Sequence, residues 1–266
     1  MRSASDRRPL EDQVALVTGG GKGIGQAISL ELSARGARVL VTGRSERELG
    51  EVVGELVHGG GQARHLAGDV RDPLHARAAV ARAIDTWGRL DVVVANAGIA
   101  GNVAMGETGG ADRARDIFDT NLFGTYLVFD AALAVIRGPG RLVAISSVLG
   151  KFGVAGQAAY CASKAGLHGL VRAVAAEVGA RGITCNAVCP GWVDTAMARA
   201  RLAEIAAESK TTYEAAREEA ARSTPVGRFV EAEEVAELVA FLCSASGSAV
   251  TGQALSVCGG TTLFAG

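Results

Sequence analysis

Little in this chain commits it to a membrane, a nucleic acid or an oxidising compartment. No stretch of its 266 residues is apolar enough to span a bilayer. The formal net charge is −1 and the basic residues are scattered, which argues against a broad nucleic-acid surface or a membrane-binding stripe. Cys161, Cys185, Cys189, Cys243 and Cys258 are odd in number, form no Cys-x-x-Cys pair and are joined by no histidine cluster. That pattern gives no sign of a zinc site or a closed disulfide framework; reduced thiols in a cytoplasm, mostly buried, are expected. There are only 5 prolines, no Pro- or Ser-rich linker, no internal repeat and no low-complexity tract. The polar, arginine-bearing start is not followed by an apolar run and cleavage site, so it does not read as a signal peptide. Residues 1–12 are expected to be a short flexible arm, and 13–266 a single domain large enough to bury a substantial core.

What is present is an alternation. Apolar runs of strand length lie at Val14–Val17, Val39–Val41, Val92–Ala95, Leu142–Ile145, Thr184–Val188 and Ala254–Val257, with a weaker one at Arg64–Ala67. Between them Ile24–Ala34, Glu46–Val57, Leu74–Trp87, Arg113–Ile136, Tyr160–Val178 and Glu233–Cys243 fit amphipathic helices. Strands that are apolar throughout and alternate with helices predict an α/β fold: a seven-stranded parallel sheet with helices on both faces, and ligands at the carboxyl ends of the strands. The segment from Ala196 to Thr224 breaks the alternation. It reads either as a solvated helical insertion or as a lid over a substrate, with Met197, Leu202, Ile205 and Tyr213 turned inward.

The first strand runs into Thr18-Gly19-Gly20-Gly21-Lys22-Gly23-Ile24-Gly25, where a helix starts. Gly19 suits a tight turn, Gly23 a close approach of backbone to a pyrophosphate, and Gly25 close helix packing; the helix N-terminus favours the anion. Where an NAD site usually carries an acid after the second strand, this chain has Gly43-Arg44. Arg44, with Lys22, suits a 2′-phosphate, so NADP(H) is preferred and NAD(H) remains possible; both cations also fit simple surface positions. Further strand ends carry Asp69-Val70, suited to the adenine amine; Asn96-Ala97-Gly98, with room for a ribose; and Pro190-Gly191-Trp192-Val193-Asp194-Thr195, where Thr195 suits the nicotinamide amide.

Tyr160 and Lys164 stand one helical turn apart, and Ser147 follows the strand that ends at Ile145. An ammonium on the same helix face would lower the phenol's pKa and make it a proton donor and acceptor near neutrality, while the serine hydroxyl bonds a substrate oxygen. A buried tyrosine beside a solvated lysine is the competing reading. Val148, Leu149, Val154, Gln157, Trp192 and Met197 flank these motifs and read either as lining of an apolar pocket or as core.

Taken in order and spacing, Thr18 to Gly25, Asp69, Asn96-Ala97-Gly98, Asn121, Ser147, Tyr160-x-x-x-Lys164 and Pro190-Gly191 resemble the short-chain dehydrogenase/reductase family over almost the whole chain after its first residues. The resemblance implies a Rossmann fold, Tyr160 as acid/base, Ser147 polarising the carbonyl, Lys164 binding the nicotinamide ribose, and Asn121 holding a water on a proton relay. It also implies a homotetramer paired through the helices at 113–136 and 160–178, with a contribution from the tail at 252–266. Gly182-Ile183-Thr184, Asn186 to Gly191, Thr224 to Arg228 and Val257 to Gly260 are most similar to β-ketoacyl reductases and ketoreductases of aromatic polyketide pathways. Those ketoreductases tend to carry Pro-Gly-Gly where this chain has Ile99-Ala100-Gly101-Asn102. The activity implied is NADPH-dependent reduction of a ketone, free or as an acyl-carrier or coenzyme A thioester, to a secondary alcohol. The alternatives are an NAD(P)-linked dehydrogenase of bulky or aromatic secondary alcohols and, in another class, a noncatalytic dinucleotide sensor.

Overall fold

Short runs of Val, Leu, Ile and Ala become a central sheet because both of their faces are covered. In the computed structural model, which describes residues 8–263, β1 (Val14–Thr18), β2 (Arg38–Gly43), β3 (Ala63–Ala67), β4 (Val92–Ala95), β5 (Arg141–Ile145), β6 (Thr184–Pro190) and β7 (Ala254–Val257) pair in the order β3-β2-β1-β4-β5-β6-β7, all parallel. Side chains alternate across the sheet. Ala15 and Val17 face α1 (Gly23–Ala34), α2 (Glu46–His58) and α9 (Ala232–Cys243); Val14 and Leu16 face α3 (Pro73–Trp87), α5 (Gly124–Leu133) and α6 (Ala158–Val178). Each fully buried Val or Leu contributes roughly 1.5–3 kcal/mol, which is why these strands hold the centre.

The order reverses between β1 and β4. Register pairs Thr18 with Ala95 there, so the first strand ends level with the fourth and a crevice opens above them at the switch point. Local signals set the helix starts. The Ser45 side chain caps α2, and Asp72 caps α3 with Pro73 in its first turn, where a missing N–H costs nothing.

Two expectations change and a third is made specific. Residues 8–12 are not a loose arm: Leu10 is fully buried in the core and its N–H donates to Arg35 O at 2.9 Å. Residues 1–7, the rest of the expected arm, and 264–266 of the tail lie outside the described residues. The expected helix at 113–136 divides into α4 (Gly110–Phe118), a π-helical turn (Asp119–Phe123) and α5, which ends at Leu133. The extra residue in that turn brings Asn121 into the interior, and Thr125 Oγ1 donates to its carbonyl at 2.9 Å. The departure at 196–224 is two helices, α7 (Ala196–Glu208) and α8 (Tyr213–Arg222). Among the described residues no helix is long and apolar enough to cross a membrane, and no cluster of three or more acidic, His or Cys side chains could hold a metal.

Candidate active site

The glycine loop is shaped by what cannot fit beside it. A Cβ on Gly25 would lie 2.2 Å from Gly19 O and 2.4 Å from Asn96 Nδ2, so only glycine lets α1 start so close to β1 and β4. Gly19, at φ +64°, makes the turn, and a Cβ there would meet Ala97 Cα at 2.8 Å. Asn96 Nδ2 donates to Thr18 O and Gly19 O at 3.1 and 3.0 Å, while Thr18 Oγ1 accepts from the N–H groups of Asn96 and Ala97, both at 3.1 Å. Thr18 and Asn96 thus lash the two strand ends together. The N-cap of α1 is Lys22, whose side chain makes no capping bond, leaving first-turn N–H groups available to an anion. Opposite the loop, Thr195 Cγ2 would lie 3.4 Å from a Cβ on Gly23, and Thr195 Oγ1 caps α7 through Ala198 N at 3.3 Å. This cradle, which any β-carbon would fill, suits a dinucleotide pyrophosphate.

The charges beside it are partly taken. Lys22 Nζ lies 3.2 Å from Glu48 Oε1, on the surface. Asp69, expected as an open acceptor, is held by Arg71: its oxygens accept from Arg71 N at 2.9 Å and Nη2 at 2.7 Å, and these bonds keep its carboxyl below the usual range. Arg71 also reaches Asp116 at 3.1 Å, tying β3's exit to α4. Arg44 is exposed and near enough to Asp69 for its charge to help lower that carboxyl.

Ser147, Tyr160 and Lys164 meet at the end of β5. Ser147 opens a 3₁₀ turn, its Oγ accepting from Leu149 N at 3.1 Å, and Tyr160 and Lys164 lie in the first two turns of α6. Lys164 Nζ donates to Ile145 O at 2.8 Å and sits 5.7 Å from the centre of the Tyr160 ring. Burial brings its ammonium down to about 8. The expected lowering of the tyrosine is reversed: burial pushes the Tyr160 phenol up, opposed by a hydrogen bond with Ser147, because the ammonium is aimed at Ile145 and not at the phenol oxygen. Asn121 has its amide engaged. Oδ1 accepts from Ile99 N at 2.8 Å, and Nδ2 donates to Ile99 O at 3.0 Å and Ser163 Oγ at 3.1 Å. Gly98 lies between it and Lys164: a Cβ there would be 3.2 Å from Asn121 Oδ1 and 3.4 Å from Lys164 Nζ.

The chain is similar to known proteins over almost its whole length. A family model described as enoyl-(acyl carrier protein) reductase matches residues 19–262. The 3-oxoacyl-[acyl-carrier-protein] reductase of Pseudomonas aeruginosa is 40% identical over 259 residues, 94% of this chain and 98% of its own. The chain belongs to the short-chain dehydrogenase/reductase family. Among solved structures, a tryptophan variant of actinorhodin polyketide ketoreductase with NADPH superposes with a TM-score of 0.88 at 40% identity, covering 94% of this chain and 97% of that one. Levodione reductase gives 0.91 at 32% identity, covering 96% and 99%.

In this short-chain oxidoreductase the substrate side is built differently from the sequence expectation. Val154 and Met197 are 43% and 47% exposed, so Met197 is not turned inward. Trp192 stacks on Phe229 at 5.7 Å, in a small core with Leu202 of α7 and Tyr213 of α8; Arg217 lies 5.0 Å over the Phe229 ring and pairs with Asp194 at 3.2 Å. Val193 packs in the main core and is bridged to Val230, and Val70 packs against Gly124, so the side chains of both serve the fold. Pro190 ends β6 buried, and Gly191 lets Cys258 approach: a Cβ there would be 3.0 Å from Cys258 Cα. Val148 is buried and Leu149 half-buried beside Ser147; Ile24 packs on the core.

One buried group escaped the sequence reading. Ser146 Oγ donates to Lys164 O at 2.9 Å and bonds His168 Nε2 at 3.0 Å, and Cys189 Sγ lies 3.3 Å from the same nitrogen. Burial lowers the His168 pKa, Lys151 and Arg172 adding to the effect. The only available signal was His168 one turn after Lys164, which does not by itself point to Ser146 on another element.

Proposed function

We propose that this enzyme reduces a ketone to a secondary alcohol with NADPH. The observation that carries the reading is the convergence of Ser147, from the end of β5, and Tyr160, from the first turn of α6, on one crevice with the glycine cradle. The dinucleotide supplies the hydride. Tyr160 gives its phenol proton to the carbonyl oxygen, and Ser147 Oγ donates a hydrogen bond to that oxygen as negative charge develops. Lys164, charged below about 8, would hold the nicotinamide ribose and, directed from Ile145 O toward Tyr160, would favour the ionised phenol. Asn121 holds the Ile99 peptide and Ser163 in place around this pair, and its expected part in a water relay is supported by its position beside Gly98 and Lys164. Thr18, Gly19, Gly21, Gly23, Ile24 and Gly25 would hold the pyrophosphate, Gly98 the ribose and Thr195 the nicotinamide amide; the exposed Arg44 would take a 2′-phosphate.

The substrate we favour is a β-ketoacyl or polyketide-like ketone, carried on an acyl-carrier or coenzyme A thioester, under the lid formed by α7 and α8. A homotetramer in the cytoplasm is the proposed assembly and setting. An apolar hollow of Phe118, Leu122, Phe123, Tyr126 and Leu170 on α4, the π turn, α5 and α6 supports the assembly, since Phe123 and Tyr126 are both 49% exposed and stack at 6.1 Å.

The test is loss of nicotinamide absorbance with β-ketoacyl thioesters, bicyclic ketones, aryl ketones and an enoyl thioester. Ketone turnover with NADPH is expected, and Arg44→Asp is expected to move the NADPH/NADH ratio of kcat/KM about 10- to 100-fold toward NADH, the size of one charge-assisted hydrogen bond. Turnover of the enoyl thioester alone, or of alcohols with NAD alone, would replace the reading.

A pH dependence follows from Lys164. Its folded pKa lies below the ordinary lysine value, so the proton leaves on raising the pH through about 8. The kcat/KM for NADPH, which reports the free enzyme, should therefore be flat below that pH and fall above it. A profile flat to pH 10 would show that this charge does not matter. In the same window the unfolded chain holds the lysine proton and the folded chain does not, so this group's contribution to stability rises with pH.

A further inference from the structure

Four polar side chains link the start of the catalytic helix to α7 and take no part in the steps above. Gln157 is the N-cap residue of α6, three positions before Tyr160, and is only 6% exposed. Its Nε2 donates to Asn102 Oδ1. Asn102 Nδ2 donates in turn to Glu208 Oε1 at 3.1 Å, in the last residue of lid helix α7. Arg201 grips both oxygens of Glu208, at 3.1 and 3.4 Å. Beside this chain a backbone bond from Val103 N to Gly156 O at 2.8 Å holds the two loops together.

The polarity of the chain is dictated from its outer end. A guanidinium only donates, and Arg201 holds the Glu208 carboxyl below its usual range, so that Glu208 only accepts. Asn102 must then turn its amino group to Glu208 and its carbonyl to Gln157. Gln157 must answer with its own amino group. What remains is Gln157 Oε1, an acceptor to which no described residue donates and which is not sealed from solvent. Gln157 stands three positions before Tyr160 at the start of the same helix, and Tyr160 packs with Ile99 and Val103 of the loop that carries Asn102.

We infer that Gln157 Oε1 is a specificity-determining acceptor for a hydrogen-bond donor, a hydroxyl or an amide N–H, carried by the substrate close to its ketone, and that Asn102 is the positioning residue that keeps it an acceptor. The inference rests on the ketone reading and names a feature of the substrate. A phenolic or enolic hydroxyl on a cyclic ketone and the amide of a pantetheine-like thioester arm share the required chemistry. An acceptor that a bound substrate covers but leaves unpaired disfavours the analogue that lacks the donor.

The experiment compares matched pairs under NADPH: a hydroxy-substituted bicyclic ketone against its methyl ether, and a β-ketoacyl N-acetylcysteamine thioester against its N-methylated amide. In one pair or the other the wild type should favour the donor-bearing member by about tenfold in kcat/KM, the scale of one hydrogen bond; which pair responds identifies the source of the donor. Asn102→Leu frees the Gln157 amide to turn over, and the ratio should fall to within about twofold. Asn102→Asp still accepts from Gln157 but repels Glu208, so it should keep the ratio while raising KM for both members. Gln157→Met, which deletes the acceptor at similar length, should abolish the ratio even if the leucine variant fails to fold. Turnover without any donor preference, or a ratio unchanged in a folded Asn102→Leu or Gln157→Met protein, overturns the inference. Failure of the wild type to reduce any ketone defeats the ketone reading instead.

Discussion

Replacing Tyr160 by phenylalanine should lower ketone reduction about a thousandfold while leaving the fold and NADPH affinity intact. General acid catalysis by one positioned side chain accounts for about 10²- to 10⁴-fold, and the substitution removes only the hydroxyl that gives up the proton. Kcat and kcat/KM should fall together, since an interaction made in the transition state is lost. The ring stays packed against Ile99 and Val103, so thermal unfolding should shift little. Steady-state rates, a melting curve and a cofactor titration on the same preparation make the check. A normally folded Tyr160→Phe protein with full activity would leave Ser147 and Lys164 without a role in protonation.

The second large effect concerns the cradle. Gly25→Ala would place a methyl 2.2 Å from Gly19 O and 2.4 Å from Asn96 Nδ2, where real β-carbons do not go. Backbone must move on one side, and the two bonds from Asn96 to Thr18 O and Gly19 O would be lost with it. Overpacking together with unpaired polar groups costs roughly 3 kcal/mol or more. In a domain of this size that lowers Tm by about 10 °C, and NADPH affinity should fall by more than tenfold because the loop can no longer close on the pyrophosphate. Gly54→Ala is the control: nothing lies within 4 Å of its Cβ, in mid-α2, so the same change there should raise stability by roughly 0.5–1 kcal/mol. Calorimetry of the two variants distinguishes steric exclusion from a general glycine effect. Equal melting temperatures would defeat the packing argument.

Much of the fold could be read from local chemistry. Val14–Val17 and Val92–Ala95 are apolar throughout because both faces of a central parallel strand are covered, and this mark survives in the sequence. Tyr160 and Lys164 share a helix face wherever that helix sits, so their proximity was also legible. The π turn was not, since Asp119–Phe123 differs from ordinary helix by one residue in phase, which hydrophobic periodicity does not resolve. Nor was the burial of Leu10, one apolar residue in a polar segment with no period to mark it.

The site divides along the same line. By itself the sequence determined the residue types and their order: a glycine turn between strand and helix, polar residues at successive strand ends, and a serine, tyrosine and lysine at fixed separations. Those are properties of neighbouring positions. Only the tertiary structure decided which of these groups stand free. It turned the Lys164 ammonium to Ile145 O, gave Asp69 to Arg71 and Lys22 to Glu48, stacked Trp192 on Phe229, and left Gln157 Oε1 without a donor among the described residues, at the end of a chain that begins at Arg201. Most of these contacts join residues far apart in sequence, where no helical or strand period carries information. Even the close pair Asp69–Arg71 depends on where a long side chain points, which spacing does not set.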